Sequence, residues 1–99
     1  MTSLNVGCDN GPVSKGNRYL SEKSDDKAMV QYQKALELDN KNPKAYLGLA
    51  SVYSDKGEIA KARDMIGEGL KENPNDEALQ KAQLRIFGTL SEFMNQLTN

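Results

Sequence analysis

Asp25 and Asp26 are neighbouring carboxylates, Gly67-Glu68-Gly69 is a glycine pair of the sort found in phosphate loops, and Cys8 is a lone thiol. Paired carboxylates work as acid and base only where a partly dry pocket separates their proton affinities. Asp25 and Asp26 fall instead at the expected start of a helix, where negative charge opposes the positive end of the dipole, so they read as solvated capping residues. Glu37, Asp39, Glu68 and Glu72 read as solvated faces. The glycine pair sits inside a helical pattern and lacks the strand and further glycine of a nucleotide loop, which leaves close helix packing as its role. The chain has no histidine. That removes the commonest general base and metal ligand at neutral pH, and nothing remains to activate a Ser, Tyr or Cys nucleophile. A single cysteine forms neither an internal disulfide nor a thiolate zinc site. The chemistry therefore predicts a chain that is not an enzyme and needs no cofactor and no metal.

The elements that would position any site are helical. Between Pro43 and Pro74, Tyr46, Leu49, Ala50 and Tyr53 recur at spacings of three and four and share a helix face that must be buried. Asp55-Lys56-Gly57 interrupts the pattern, with Gly57 suited to the left-handed conformation that ends a helix. Ile59, Ala62, Ile66 and Leu70 then form the stripe of a second helix, in which the small Ala62 lets the two helices approach. Asn73-Pro74 stops it.

The order aromatic-x-x-Leu-Ala-x-x-Tyr, then Gly, Ala-x-x-x-apolar and a closing Pro, carried by Tyr46, Leu49, Ala50, Tyr53, Gly57, Ala62, Ile66 and Pro74, resembles the tetratricopeptide repeat. Tyr46 stands for the usual Trp and Gly69 for the usual small Ala. An earlier copy is laid on it by a shift of one repeat period, about 34 residues in that family. The shift sets Gly16 on Ala50, Tyr19 on Tyr53, Lys27 on Lys61, Ala28 on Ala62, Tyr32 on Ile66 and Leu36 on Leu70. Tyr19, Tyr32, Tyr46 and Tyr53 thus match packing positions of the repeat rather than a platform for stacked bases. The first copy is the weaker. Pro12 stands where a bulky aromatic is expected, Lys15 where Leu is, and Lys23 takes the place of Gly57, where a left-handed residue costs about 1 kcal/mol. Its first helix, about 12–22, should fray, and its second, to Leu38, is expected to start at Ser24 or Asp25 with Ser24 as cap and Ala28, Tyr32, Ala35 and Leu36 buried.

After Asn75-Asp76-Glu77, a capping cluster, Leu79, Ala82, Ile86, Phe87, Leu90, Phe93, Met94 and Leu97 lie within roughly 140° of arc on one long helix. The expected fold is all-α: two tetratricopeptide hairpins and a long C-terminal closing helix, a five-helix right-handed α-solenoid fragment. The expected division is a flexible tail over 1–11 and a repeat domain over 12–99, with the first repeat about 12–42, the second about 43–76 and the closing helix about 76–97.

With 99 residues, 37% of them hydrophobic, the chain supports one modest core. A net charge of −1 gives no footprint for nucleic acid. No run reaches the roughly 20 apolar residues that span a bilayer, and the N-terminus lacks a basic start followed by an apolar core, so the expectation is a cytoplasmic chain with no membrane span. Val6-Gly7-Cys8 faintly resembles a bacterial lipid-attachment box, but Asn5 stands where Leu belongs and no apolar segment precedes it, so Cys8 reads as an ordinary tail thiol.

The resemblance implies an adaptor that binds a peptide or helix of a protein partner in a concave groove. By phase it assigns Val13, Asn17, Leu20 and Ser21, then Lys44, Leu47, Ser51, Ser54 and Asp55, then Ala78, Lys81 and Arg85 to the lining, with Asn17, Leu20, Lys44, Leu47, Ser51, Lys81 and Arg85 as the binding candidates. Lys44, Lys81 and Arg85 suit a segment with acidic groups. Members that clamp the acidic C-termini of cytosolic chaperones use two Lys, two Asn and one Arg. Here Asn17 matches, while the other four positions hold Val13, Gly48, Ala78 and Ala82, so no chaperone-tail carboxylate clamp is expected. The alternative is a structural module that forms a homodimer. The closing helix outruns the one it covers and carries Leu90, Phe93, Met94 and Leu97 on its overhang, which would pair with a second copy, dock on a partner, or fold back after a bend at Gly88.

Overall fold

The computed structural model describes residues 11–98, with side chains as far as Ile86 and Gly88 beyond it. Five helices follow one another among these residues: α1 Pro12–Ser21, α2 Asp25–Leu38, α3 Pro43–Asp55, α4 Ile59–Glu72 and α5 Glu77–Thr98. The tail that precedes Gly11, with Cys8, lies outside the described residues, as do the side chains of Leu90, Phe93, Met94 and Leu97. α1 pairs with α2 and α3 with α4, while α1, α3 and α5 lie side by side as one layer and α2 and α4 form the other.

Each helix begins and ends for a local reason. Pro12 and Pro43 take first-turn positions where a missing N–H costs nothing. Asn42 Oδ1 accepts from the Lys44 N–H at 3.0 Å, and Asp76 Oδ1 from the Leu79 N–H at 2.9 Å. Both hairpin turns are closed by the same pair of backbone bonds. Ser24 N–H reaches Tyr19 O at 2.8 Å and Lys23 N–H reaches Leu20 O at 3.0 Å; one repeat further on, Glu58 N–H reaches Tyr53 O at 2.8 Å and Gly57 N–H reaches Ser54 O at 3.0 Å. This is a Schellman ending, which requires a left-handed residue. Gly57 supplies it with φ 80°, and Lys23 with φ 64°.

Ser24 departs from expectation. It stands at the N-cap of α2, yet its hydroxyl makes no capping bond. The turn holds its backbone at ψ 68°, away from the extended conformation that aims a capping side chain at the first-turn N–H groups. Asp25 departs in part as well: Asp26 is exposed and its carboxylate meets Lys56 Nζ at 2.9 Å, but Asp25 Oδ1 is shielded from solvent without a hydrogen-bond partner.

The core is two linked clusters. Ala28, Tyr32, Leu49 and Val52 fill the first hairpin and its junction with α3, and Tyr46, Ala50, Ala62, Ile66, Leu79 and Ala82 fill the second hairpin and its junction with α5. Leu36, half-buried rather than buried, and Met65 pack against both. In the first cluster the Tyr32 ring presses on the backbone of Gly16 and of Gly48; a Cβ at Gly16 would stand 2.7 Å from the ring, and one at Gly48 would collide with it. Gly69 is needed for a like reason, since a Cβ there would lie 2.9 Å from that of Tyr46. Gly67 has nothing near it, so close packing uses only one member of the glycine pair. Tyr46 also donates to Asn40 O at 2.8 Å, and Asn73 Nδ2 to Lys41 O at 2.5 Å, which ties the connection between the hairpins to the second one.

α5 has 22 residues and α4 has 14, so the closing helix is about 33 Å long against about 21 Å. It is helical straight through Gly88, and the fold-back at that position is not what the chain does. Among the described residues no helix is long and apolar enough to cross a membrane.

Candidate functional site

α1, α3 and α5 lie in one layer, and the residues they turn away from α2 and α4 border three adjoining depressions. The first, about 210 Å³, lies between α1 and α3 and is bordered by Asn17, Leu20, Lys44, Leu47 and Ser51, with Tyr32 and Gly48 also in its lining. The second, about 260 Å³, runs between α3 and α5 past Ser51, Ser54 and Asp55 to Arg85, and is lined also by Ile66 and Ile86. The third, about 510 Å³, is open to solvent and bordered by Leu47, Ala78, Lys81, Leu84 and Arg85. Leu47 lines all three, which makes them one groove across the inner layer.

All seven binding candidates border this groove. Val13 and Ser21 do not: Val13 is half-buried against the first core cluster and opens toward the far edge of α1, beside Leu38 and Asp39. Sequence reasoning missed Tyr32, Ile66 and Ile86 as lining, because it assigned them wholly to the core, and it missed Leu84. Leu84 is 72% exposed. Its signal was present as an apolar residue off the buried stripe of α5, flanked by Lys81 and Arg85.

Two features set the groove's electrostatics. Lys44, Lys81 and Arg85 outnumber Asp55 in the lining, although the whole chain carries a net charge of −1. Next, the Tyr32 hydroxyl donates to Asn17 Oδ1 at 2.5 Å, so the acceptor end of that amide is engaged and its N–H₂ end remains to donate. Burial raises the Tyr32 pKa, which keeps the phenol protonated and able to hold Asn17.

The other four clamp positions carry no side-chain donor. Gly48 backs the Tyr32 ring, Ala82 is buried, Val13 is half-buried and Ala78 carries no donor. Among the described residues no group of three or more Cys, Asp or Glu is placed to hold a metal ion.

Residues 19–86 match the tetratricopeptide repeat family. The chain belongs to that family. A TPR repeat-containing protein of Methanocaldococcus jannaschii is similar to it, 35% identical over 59 residues that make up 60% of this chain and 10% of that protein. The chain therefore spans about a tenth of the length of this curated relative. Tetratricopeptide repeats are in general protein-interaction modules rather than catalysts.

Proposed function

We propose that the chain is a non-catalytic adaptor whose groove across α1, α3 and α5 holds an extended or helical segment of a protein partner. The observation that carries this reading is the continuity of the groove: Asn17, Leu20, Lys44, Leu47, Ser51, Lys81 and Arg85 come from three helices and border depressions that share Leu47. A lining that mixes Leu20, Leu47 and Leu84 with polar residues suits a segment with apolar anchors, and the excess of cations suits one with acidic groups. Affinity capture with cross-linking from the native extract tests it. Ser51→Arg, which fills the groove at an exposed position shared by two depressions, should abolish capture, and Gln33→Arg on α2 should not. Equal capture by both variants contradicts the reading.

A second reading is favoured by one observation, the length of α5 beyond α4. In it two copies pair through Leu90, Phe93, Met94 and Leu97. Burying four such side chains would contribute roughly 6 to 12 kcal/mol. Light scattering across a hundredfold concentration range, with Phe93→Glu as control, distinguishes the two: a monomeric mass throughout, unchanged by the substitution, removes the homodimer.

A further inference from the structure

α5 has a buried apolar side and, off it, an exposed leucine. Leu79 and Ala82 are buried against α3 and α4, and Ile86 packs on the same cluster. Leu84 lies off that buried side, 72% exposed, and with Leu47, Ala78, Lys81 and Arg85 it borders the open depression of about 510 Å³. That is within the range of roughly 300 to 1,000 Å³ typical of ligand clefts. Leu47 and Leu84 are its apolar walls. Ala78 ends at Cβ and leaves the space between them open. Lys81 and Arg85 are four residues apart and so neighbours on the helix surface, and both border the depression.

We infer that Leu84 is an anchor of the groove, and that the Leu47–Leu84 depression takes one large aliphatic side chain of the partner segment, next to an acidic residue of that segment that meets Lys81. The inference rests on the groove reading above and names what the groove selects. Leu84 does nothing for the core, since most of it is in water. Lys81 stands in a lining that holds no carboxylate, so an acidic residue of the arriving segment complements it. Covering Lys81 without an opposite charge would leave a desolvated ammonium unpaired, which selects against a purely apolar occupant. A nucleic acid is disfavoured by the same lining, which offers no aromatic face on which a base could stack.

The test is a selection followed by a titration. A random peptide library displayed on phage is panned on the full chain, and the enriched peptides, made as fluorescent probes, are titrated against the wild type, Leu84→Ala, Lys81→Glu and Ser51→Arg, with circular dichroism to confirm that the exposed substitutions leave the helices intact. The enriched peptides should share a large aliphatic residue beside Asp or Glu. Leu84→Ala should raise Kd about tenfold or more, as truncation of an anchor does, and Lys81→Glu should weaken the acidic probes and bind better to versions with Lys in place of the acid. Binding that Leu84→Ala changes by less than about twofold, while Ser51→Arg abolishes it, overturns the anchor and leaves the groove reading standing. Binding that none of the substitutions affects, or a library with no enrichment, overturns both. Enriched peptides without acidic residues overturn the pairing with Lys81. A mass that doubles in the absence of peptide and returns to that of a monomer in Leu84→Ala puts a second copy in the depression and overturns the inference.

Discussion

Tyr32 and Ile66 stand one repeat apart and fill the same slot of successive repeats, Tyr32 against Gly16 and Gly48, Ile66 with Ala50 and Ala82. The neighbours are related by the same shift, Gly16 to Ala50 and Gly48 to Ala82. The larger side chain meets the smaller neighbours, and the smaller side chain the larger ones, so the two slots divide their volume differently.

This relationship predicts non-additive stability. Gly48→Ala alone should destabilise by about 1 to 3 kcal/mol through overpacking on Tyr32, and Gly16→Ala likewise. The triple variant Gly16→Ala, Tyr32→Ile, Gly48→Ala copies the second repeat's set and should recover most of that loss, with a coupling of about 0.5 to 3 kcal/mol by urea denaturation. Gly67→Ala is the control. It meets nothing, so it should stabilise by up to about 1 kcal/mol through helix propensity alone. Additive losses in the triple variant would refute the shared slot.

The two hairpin turns predict opposite responses to glycine. Lys23 holds φ 64° with a side chain, so Lys23→Gly should stabilise by a few tenths to about 1 kcal/mol, whereas Gly57→Val at φ 80° should destabilise by more than that. Thermal melts of the two variants suffice. A Lys23→Gly variant less stable than the wild type would mean that the loss of lysine contacts outweighs the relief of strain.

Much of this fold was legible in the sequence, and the reasons are local. Pro12, Pro43, Gly57 and Asn73-Pro74 each impose a backbone constraint on their own, and the left-handed turn at Lys23 followed from its register with Gly57. What failed depended on side-chain placement. Ser24 lost its capping role to a backbone angle set by the turn before it, and Asp25, read as solvated, has one oxygen sheltered. Gly67 and Gly69 look alike in one dimension, but only Gly69 faces Tyr46. For the groove, phase along the helices was enough to choose residues of α1, α3 and α5 that border common depressions. It did not reveal Leu84, because a search for one apolar stripe per helix sets aside a residue that lies off it.

The alkaline limit should be set by buried phenols. Burial raises the Tyr32 pKa, and burial, followed by Glu72, Glu68 and Asp39, raises that of Tyr46. Both folded values lie above the unfolded value of 10.0, so the native state holds these protons more tightly. Their contribution is full below that pH and is lost as pH rises through the folded values. Lys56, raised by its hydrogen bond to Asp26, acts in the same direction above 10.5, weakly because the pair is at the surface. The urea midpoint should be flat through neutral pH and fall above about pH 10, with a smaller fall in Tyr32→Phe and Tyr46→Phe. A midpoint that is equally pH-dependent in the phenylalanine variants would contradict this cause.

The first hairpin should be the more readily opened half. α1 begins with Pro12 rather than an aromatic anchor, and Gly16 is its only buried residue, whereas α3 buries Ala45, Tyr46, Gly48, Leu49, Ala50 and Val52. Native-state hydrogen exchange should be faster from Ser14 to Glu22 than from Tyr46 to Tyr53. The reverse order would show that α1 draws stability from contacts other than its own packing.

The central claim, that a protein segment lies in the groove, is tested most directly by amide chemical-shift mapping of the isotope-labelled chain with its captured partner segment. The account predicts that the largest changes cluster at Asn17, Leu20, Lys44, Leu47, Ser51, Lys81 and Arg85. Changes concentrated instead at exposed residues of the other layer, such as Gln33 and Lys34 on α2 or Arg63 and Asp64 on α4, with the groove silent, would contradict it.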